Sequence, residues 1–304
     1  MGGQLMPAIK FPKIFAIGQR NVEAVFQDHV EVTEKIDGSS LAFGMLNGEL
    51  RVCTRRTDLF PGQPAGMFQT GLDYIVGLAS RMPEGWRYYG EYLFRPKHNC
   101  LKYDRVPHNN IALFGVQRPD GTFCAYDELL DAAALLDIGF APLLMEGNGI
   151  DLQALTPLLE RESVLGGVKI EGVVIKNYHR PSRLVEVEYP IMCAKLVSEQ
   201  FKERQHSDWR NHTGKGKWET YCESFRAEAR WNKAIQARKE AGEFLGAPQD
   251  IGPLIRLIQE DIKEEEIEGI KEMLWKEYGP QLLRIAIQGF PDYFKEKLQE
   301  GAYV

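Results

Sequence analysis

Six consecutive residues, Glu34-Lys35-Ile36-Asp37-Gly38-Ser39, combine the side chains of this chain best suited to covalent chemistry. A lysine amine becomes a nucleophile only when it loses its proton. Free lysine has a pKa of about 10.4, and a working nucleophile sits nearer about 7–8. Closing a gap of roughly 3 units takes about 4 kcal/mol of differential stabilisation. Burial, neighbouring cations or a bound divalent metal can supply it. The Asp37 carboxylate acts the other way, raising the amine pKa, and suits a role in positioning sugar hydroxyls. The period of two along a strand puts Asp37 on the same face as Lys35. Taken alone, Lys-x-Asp-Gly has a second reading, a strand ending in an Asp-Gly turn with a solvated lysine.

Four further segments carry charge at places where a strand ends or a glycine loosens the chain: Cys53-Thr54-Arg55-Arg56, Gly90-Glu91-Tyr92, Glu171-Gly172-Val173-Val174-Ile175-Lys176 and Ala194-Lys195-Leu196-Val197. Each alone reads equally as ordinary strand-end charge. Strand parity aims Lys176 opposite Glu171 if both lie in one regular strand.

The elements that must hold these residues are legible to about residue 204 as a mixture of strands and helices. Val30-Glu31-Val32-Thr33 and Leu41-Ala42-Phe43-Gly44 are β-rich flanks of the lysine. Residues 43–52 read as a hairpin around Asn47-Gly48. Residues 88–94, 111–116 and 172–176 read as apolar or aromatic strands, and Leu184-Val185-Glu186-Val187-Glu188 alternates as a half-buried strand does. Helices are expected near 71–80 and 127–136. Beyond residue 205 the chain turns rich in Glu, Lys, Ala, Leu and Ile, with Leu254, Ile255, Ile258 and Ile262 at helical spacing. Gly252-Pro253, Gly279-Pro280 and Phe290-Pro291 are expected to punctuate the helices, and residues 211–217 to form a connecting loop. The sequence therefore predicts an α+β fold: residues 1–204 as a domain of mixed and antiparallel sheets with helices, and 205–304 as a smaller all-helical domain.

Composition sets outer bounds. The 304 residues, 44% hydrophobic and 26% charged, describe a globular chain with room for a sizeable core. No run approaches a membrane span, and the first residues lack a signal-peptide core and a myristoylation serine or threonine, so a cytoplasmic location without membrane contact is expected. The five cysteines show no Cys-x-x-Cys spacing, which argues against zinc and disulfides. His98 and His108 read as loop or supporting residues, and a hard cation arriving with a phosphate substrate is the expected metal. Net charge is −6, yet residues 205–239 hold eight Lys/Arg against four Asp/Glu, and residues 240–304 seven against fourteen. The basic stretch reads either as a phosphate-facing surface or as a solvated helix face.

In their order, the charged segments resemble the nucleotidyl-transfer motifs of the covalent nucleotidyltransferase superfamily, which comprises polynucleotide ligases and messenger-RNA capping enzymes. The resemblance spans about residues 9–205. Within it, Glu34 to Ser40 together with Leu113-Phe114-Gly115 look most like ATP-dependent RNA ligases of the phage-type, nick-sealing group. The resemblance implies a ligase-type adenylation domain, with Lys35 as the adenylylated lysine. It also implies Phe114 stacked on the purine, and Glu34, Asp37, Gly38, Arg55, Arg56, Lys176 and Lys195 around the nucleotide. Lys35, Glu91, Glu171 and Lys195 form the implied catalytic set, with Glu91 and Glu171 orienting ribose or holding hydrated Mg2+ or Mn2+. ATP is the implied cosubstrate, and RNA with 3′-OH and 5′-phosphate ends the implied partner, acted on by a monomer after an end-healing kinase or phosphatase.

The chemistry explains the residue types. Charge accumulating on the phosphoryl oxygens calls for lysine, arginine and a divalent cation. Splitting the reaction through lysyl-AMP gives an RNA 5′-phosphate a good leaving group. Two positions depart from the pattern: relatives often carry a lysine where this chain has Cys193, and an asparagine where it has Ser40.

Three other readings are separable. DNA ligases and capping enzymes place a β-barrel after the last motif, where this chain reads as helical. NAD-dependent ligases carry an extra module before the lysine. A non-catalytic RNA-binding module could use Trp209, Trp218 and Trp231 among basic residues to stack bases, although these tryptophans read equally as core. Such a module has no need of Lys35, Glu91, Glu171 and Lys195 together.

Overall fold

The computed structural model describes residues 9–184, 187–202 and 215–300. Backbone contacts divide the chain into two compact units, Met1–Phe244 and Leu245–Val304. The composition boundary expected near residue 204 and this division by contacts rest on different properties of the chain.

The first unit is built on two sheets. One has the order β1-β13-β10-β2-β9, with β1 Phe15–Ala16, β2 Val30–Lys35, β9 Leu143–Gly147, β10 Gly172–Asn177 and β13 Met192–Val197. β1 runs parallel to β13, and the remaining neighbours are antiparallel. The second has the order β5-β4-β3-β6-β7-β8, with β3 Ser39–Leu46, β4 Glu49–Thr54, β5 Asp58–Leu59, β6 Arg87–Tyr92, β7 Ile111–Gln117 and β8 Gly139–Phe140. The β3–β4 hairpin turns at Asn47 (φ 54°) and Gly48 (φ 76°), left-handed conformations that suit this pair in a two-residue turn.

Alternation along the strands sorts side chains between three apolar layers. Leu41 and Phe43 of β3, with Tyr88 and Tyr92 of β6, pack on α1 (Gln69–Leu78) and α2 (Tyr126–Leu136). Val30 and Val32 of β2, with Val173 and Ile175 of β10, pack outward on Leu155 at the end of α3 (Leu152–Leu155). The opposite parities, Ala42, Cys53 and Tyr89 from one sheet and Cys193 from the other, meet between the sheets. At one end this inner layer stays open and polar, and the lysine segment lies there.

The fold class is α+β, as the sequence indicates, and the described residues from Lys215 on contain helices and no strand. They are α4 (Lys215–Glu223), α5 (Glu228–Glu240), α6 (Ile251–Ala286) and α7 (Phe290–Gln299). Two local expectations are corrected. In place of one strand over 184–188, β11 (Ser182–Leu184) and β12 (Val187–Tyr189) pair antiparallel with Leu184 opposite Val187; Val185 and Glu186 lie outside the described residues. Gly279-Pro280 does not end a helix, because α6 continues through Pro280. A proline loses its own backbone donor and crowds the carbonyl four residues back, but the chain on both sides, including the Leu282-Leu283-Arg284-Ile285-Ala286 run beyond it, continues the helix past that cost. Of the expected 211–217 loop, residues 211–214 lie outside the described residues, as does Trp209, and residues 215–217 are not loop but the first turn of α4.

The second unit consists of α6 and α7 with the turn before them. Asp250 starts α6, its carboxylate accepting from the amides of Leu245 (3.0 Å), Gly246 (2.8 Å) and Ala247 (3.3 Å). No described helix is long and apolar enough to cross a membrane.

Candidate active site

The pairing of β2 with β10 and of β10 with β13 sets three cross-strand rows: Lys35 with Gly172 and Val197, Thr33 with Val174 and Lys195, Glu31 with Lys176 and Cys193. Directly opposed residues share a face, so Lys35, Lys176 and Lys195 all project toward the second sheet. A pocket there is lined by Lys35, Lys176, Thr33, Val174 and Ile14 from one side and by Glu91 and Phe114 from the other.

Lys35 ends β2, and its Nζ donates to Glu171 Oε2 at 2.7 Å. Glu171 stands just before β10, where its backbone carbonyl accepts from Ser198 N at 3.0 Å. Because it lies outside the ladder, the parity argument that sent Lys176 away from Glu171 does not apply, and Lys176 lines the pocket that holds Lys35. Burial opposes the charge on Lys35, but the carboxylates of Glu171 and Glu91, the Glu171 hydrogen bond and Asp37 together hold its pKa above the ordinary value. Glu91, opposite Ser40 on β6, is pushed up to about 8, chiefly by burial, with Lys35 pulling down and Glu171 adding repulsion. Glu171 is also raised by burial, against the pull of Lys35. Without a nucleotide, the centre is an ammonium among carboxylates that share its charge.

Lys176 is 1% exposed, and its amine donates to the backbone carbonyl of Phe114. Burial lowers its pKa. Phe114, on β7, meets Phe11 edge-on at 5.0 Å between ring centroids. Lys195 is half-buried on β13, and its charge lowers the pKa of Glu171.

Two of the expected residues are placed differently from the strand reading. Asp37 lies beyond β2 and not on its face: its Oδ2 accepts from the amides of Cys100 (2.9 Å) and Leu101 (2.7 Å). Its own amide donates to the Tyr103 hydroxyl at 2.8 Å. Glu34 has the opposite parity to Lys35, and its carboxylate accepts from Ser163 Oγ and, at 3.0 Å, Val164 N. Gly38 is required by close approach, since a Cβ there would meet Leu93 Cδ1 at 2.8 Å and Tyr92 O at 3.0 Å. Arg55 and Arg56 are exposed just after β4.

Sequence reasoning read His98 as a loop or supporting residue, as it is, but gave no role to Asn99, Cys100, Leu101 and Tyr103, which clamp this segment beside it. Asn99 Nδ2 donates to Gly38 O at 2.7 Å, and Ser39 Oγ contacts His98 Nε2 at 2.7 Å. Tyr103 is buried beneath them. The run His98-Asn99-Cys100-Leu101-Lys102-Tyr103 has no periodicity, so its polar density was the only available signal.

A family model described as RNA ligase matches residues 28–197. Among solved structures, the chain is similar to Naegleria gruberi RNA ligase with PPi: 17% identity, TM-score 0.45, covering 62% of this chain and 56% of that one. A variant of that ligase with ATP and Mn matches at 16% identity and TM-score 0.45, with the same coverage. The chain thus spans a little over half the length of those proteins. No curated protein matches it.

Proposed function

Since this chain belongs to the RNA ligase family, we propose that it is an ATP-dependent RNA ligase that joins 3′-OH and 5′-phosphate ends through adenylate bonded to Lys35. The observation that carries the reading is the position of the Lys35 amine, 2.7 Å from Glu171 in a pocket shared with Glu91, Phe114 and Lys176.

In the first step Lys35 Nζ attacks the α-phosphorus of ATP, the bond to pyrophosphate breaks with its electron pair on pyrophosphate, and the amine proton passes to a base or solvent. Among the described residues no group of three or more His, Cys, Asp or Glu side chains is arranged to hold a metal ion by itself. Glu91 and Glu171 nonetheless fit a hard cation completed by phosphate oxygens and water, as such ions commonly bind. A divalent cation there would neutralise charge on the phosphates and occupy the carboxylates that now hold the Lys35 proton. With those carboxylates engaged, burial is the main remaining influence on Lys35, and it favours the neutral amine.

Lys195 projects from the same face to balance phosphoryl charge, and Phe114 offers a ring for the purine. Asp37, fixed by two amides, is placed to accept a ribose hydroxyl through its remaining oxygen. In the second step an oxygen of the RNA 5′-phosphate attacks the lysyl-AMP phosphorus, the P–N bond breaks, and the amine regains its proton. In the third, the 3′-OH attacks the activated 5′ end and AMP leaves. A reducing, cytoplasmic setting suits the five cysteines, all free thiols. A monomer acting after an end-healing kinase or phosphatase completes the reading.

The test is incubation with α-labelled ATP and a divalent metal, without RNA. A labelled protein should form and should be lost in Lys35→Ala. An unlabelled wild-type protein removes the proposal, and labelling by GTP alone moves it to capping-type chemistry. Nicked duplex, single-stranded and DNA-containing substrates then define the target.

A further inference from the structure

We infer that Ser39, Gln236, Arg55 and Arg56 frame a phosphate-binding subsite, which the Glu240 carboxylate fills when no substrate is bound. The inference rests on the ligase reading and names where that reaction would hold a substrate phosphate. It draws on α5, which lies outside the residues 28–197 matched by the family.

Ser39, directly after Gly38, is 2% exposed, and its hydroxyl has three partners. It contacts His98 Nε2 at 2.7 Å, accepts from Gln236 Nε2 at 3.3 Å and donates to Glu240 Oε1. Gln236 Nε2 also reaches Glu240 Oε1 at 3.3 Å, the two side chains being one helical turn apart on α5. A buried serine between a histidine and a glutamate invites comparison with a nucleophilic triad, and the hydrogen bonds exclude it. Phe94 N donates to His98 Nδ1 at 3.1 Å, so in the neutral ring Nε2 carries the proton and donates to Ser39. The imidazole then cannot take the serine proton. Burial keeps the ring neutral, with its pKa near 4. Ser39 is thus a junction of donors around one anion.

The arginines belong to the same neighbourhood: they form the tip of the β4–β5 hairpin, directly after Thr54, which pairs with Leu41 of β3, and the charges of both act on the Glu240 carboxylate. The Thr54 hydroxyl accepts from Arg56 N (3.3 Å) and Thr57 N (3.0 Å), fixing the turn that presents the two arginines. Lys239, next to Glu240, is exposed. One carboxylate thus sits within the reach of two guanidinium charges beside the lysine segment.

Burial raises the Glu240 pKa, and the bonds from Ser39 and Gln236 and the charges of Arg56 and Arg55 only partly offset this. A phosphate carries more charge and more acceptor oxygens, and guanidinium binds it through paired hydrogen bonds. The occupant with the better fit to these donors is a phosphate, either the 5′-phosphate of RNA or the polyphosphate tail of the nucleotide.

Direct binding separates these sources without catalysis. The probes are a 5′-phosphorylated RNA oligonucleotide, its 5′-hydroxyl twin and inorganic tripolyphosphate. They are titrated into wild type, Glu240→Gln, Glu240→Ala and, as an equal charge change at an exposed edge strand, Glu146→Gln. Removing a like charge beside the site should tighten phosphate binding by about fivefold or more in both Glu240 variants, and adding Arg56→Ala should cancel the gain. A gain confined to the phosphorylated RNA assigns the subsite to the RNA end, and a gain with tripolyphosphate assigns it to the nucleotide tail. Gains no larger than those of Glu146→Gln, or none, overturn the inference. Lysyl-AMP labelling of the same proteins keeps the two ideas apart: label without a binding gain defeats only the subsite, and absence of label in wild type defeats the ligase reading.

Discussion

Lys35 and Lys176 are the same side chain on neighbouring strands, and both face the opposite sheet, yet their surroundings drive them in contrary directions. Lys35 keeps partial access to solvent (24% of its side chain) and faces three carboxylates, so its proton is held more tightly than in water. Lys176 is sealed at the inner end of the pocket with a carbonyl as its hydrogen-bond partner, and its proton is held less tightly. The geometry suits Lys176 to bracing the two sheets, because its bond runs from β10 in one to β7 in the other. It suits Lys35 to chemistry that begins when its carboxylates are drawn away. The pocket separates reactivity from cohesion over a short distance.

Substitutions can break this contrast. The largest effect is expected for Lys35→Met, which should reduce lysyl-AMP formation to background. At pH 6 its urea unfolding should stay within about 1 kcal/mol of wild type, because Glu91 already carries its proton at that pH and Glu171, raised by burial, can take one up in place of the ammonium. Next, Glu171→Gln should slow adenylylation by about a hundred- to a thousandfold. It should also shift the remaining activity toward lower pH, since the lost counter-charge makes the Lys35 environment more like that of Lys176. Lys176→Met should cost about 2 kcal/mol or more of stability, read from the urea midpoint, by stranding the Phe114 carbonyl and removing a positive charge from the neighbourhood of buried Glu31. A Lys176→Met protein of unchanged stability would falsify its bracing role.

A last effect concerns pH. A folded-state pKa of about 8 for Glu91 lies above its unfolded value, so the folded protein binds the extra proton between them. Stability should therefore fall as pH rises from about 5 to about 8, and Glu91→Gln should flatten that slope in thermal melts.

The parts of the site that repeat a local pattern were legible in the sequence. Asn47-Gly48 announces its turn, alternation from Val30 to Lys35 announces the strand, and Glu171-Gly172 announces the start of β10. What could not be read is set by contacts across long separations. Asp37 left the strand face because amides at 100 and 101 capture it, and Glu34 turned outward to the amide and hydroxyl of a distant loop. Lys176 entered the pocket because the ladder begins at Gly172, one residue after Glu171. Ser39 gave no local sign that a helix around residue 240 would meet it.

The parallel pairing of β1 with β13, where Phe15 lies beside Ala194, makes the chain close on itself late in synthesis. A ribosome that has just produced Lys35 must add a further 136 residues before the partner glutamate exists. Loops of that length close slowly, and nothing local rewards the early half for waiting in place. Nascent chains halted before Glu171 would therefore carry the Lys35 amine without the counter-charge that holds its proton.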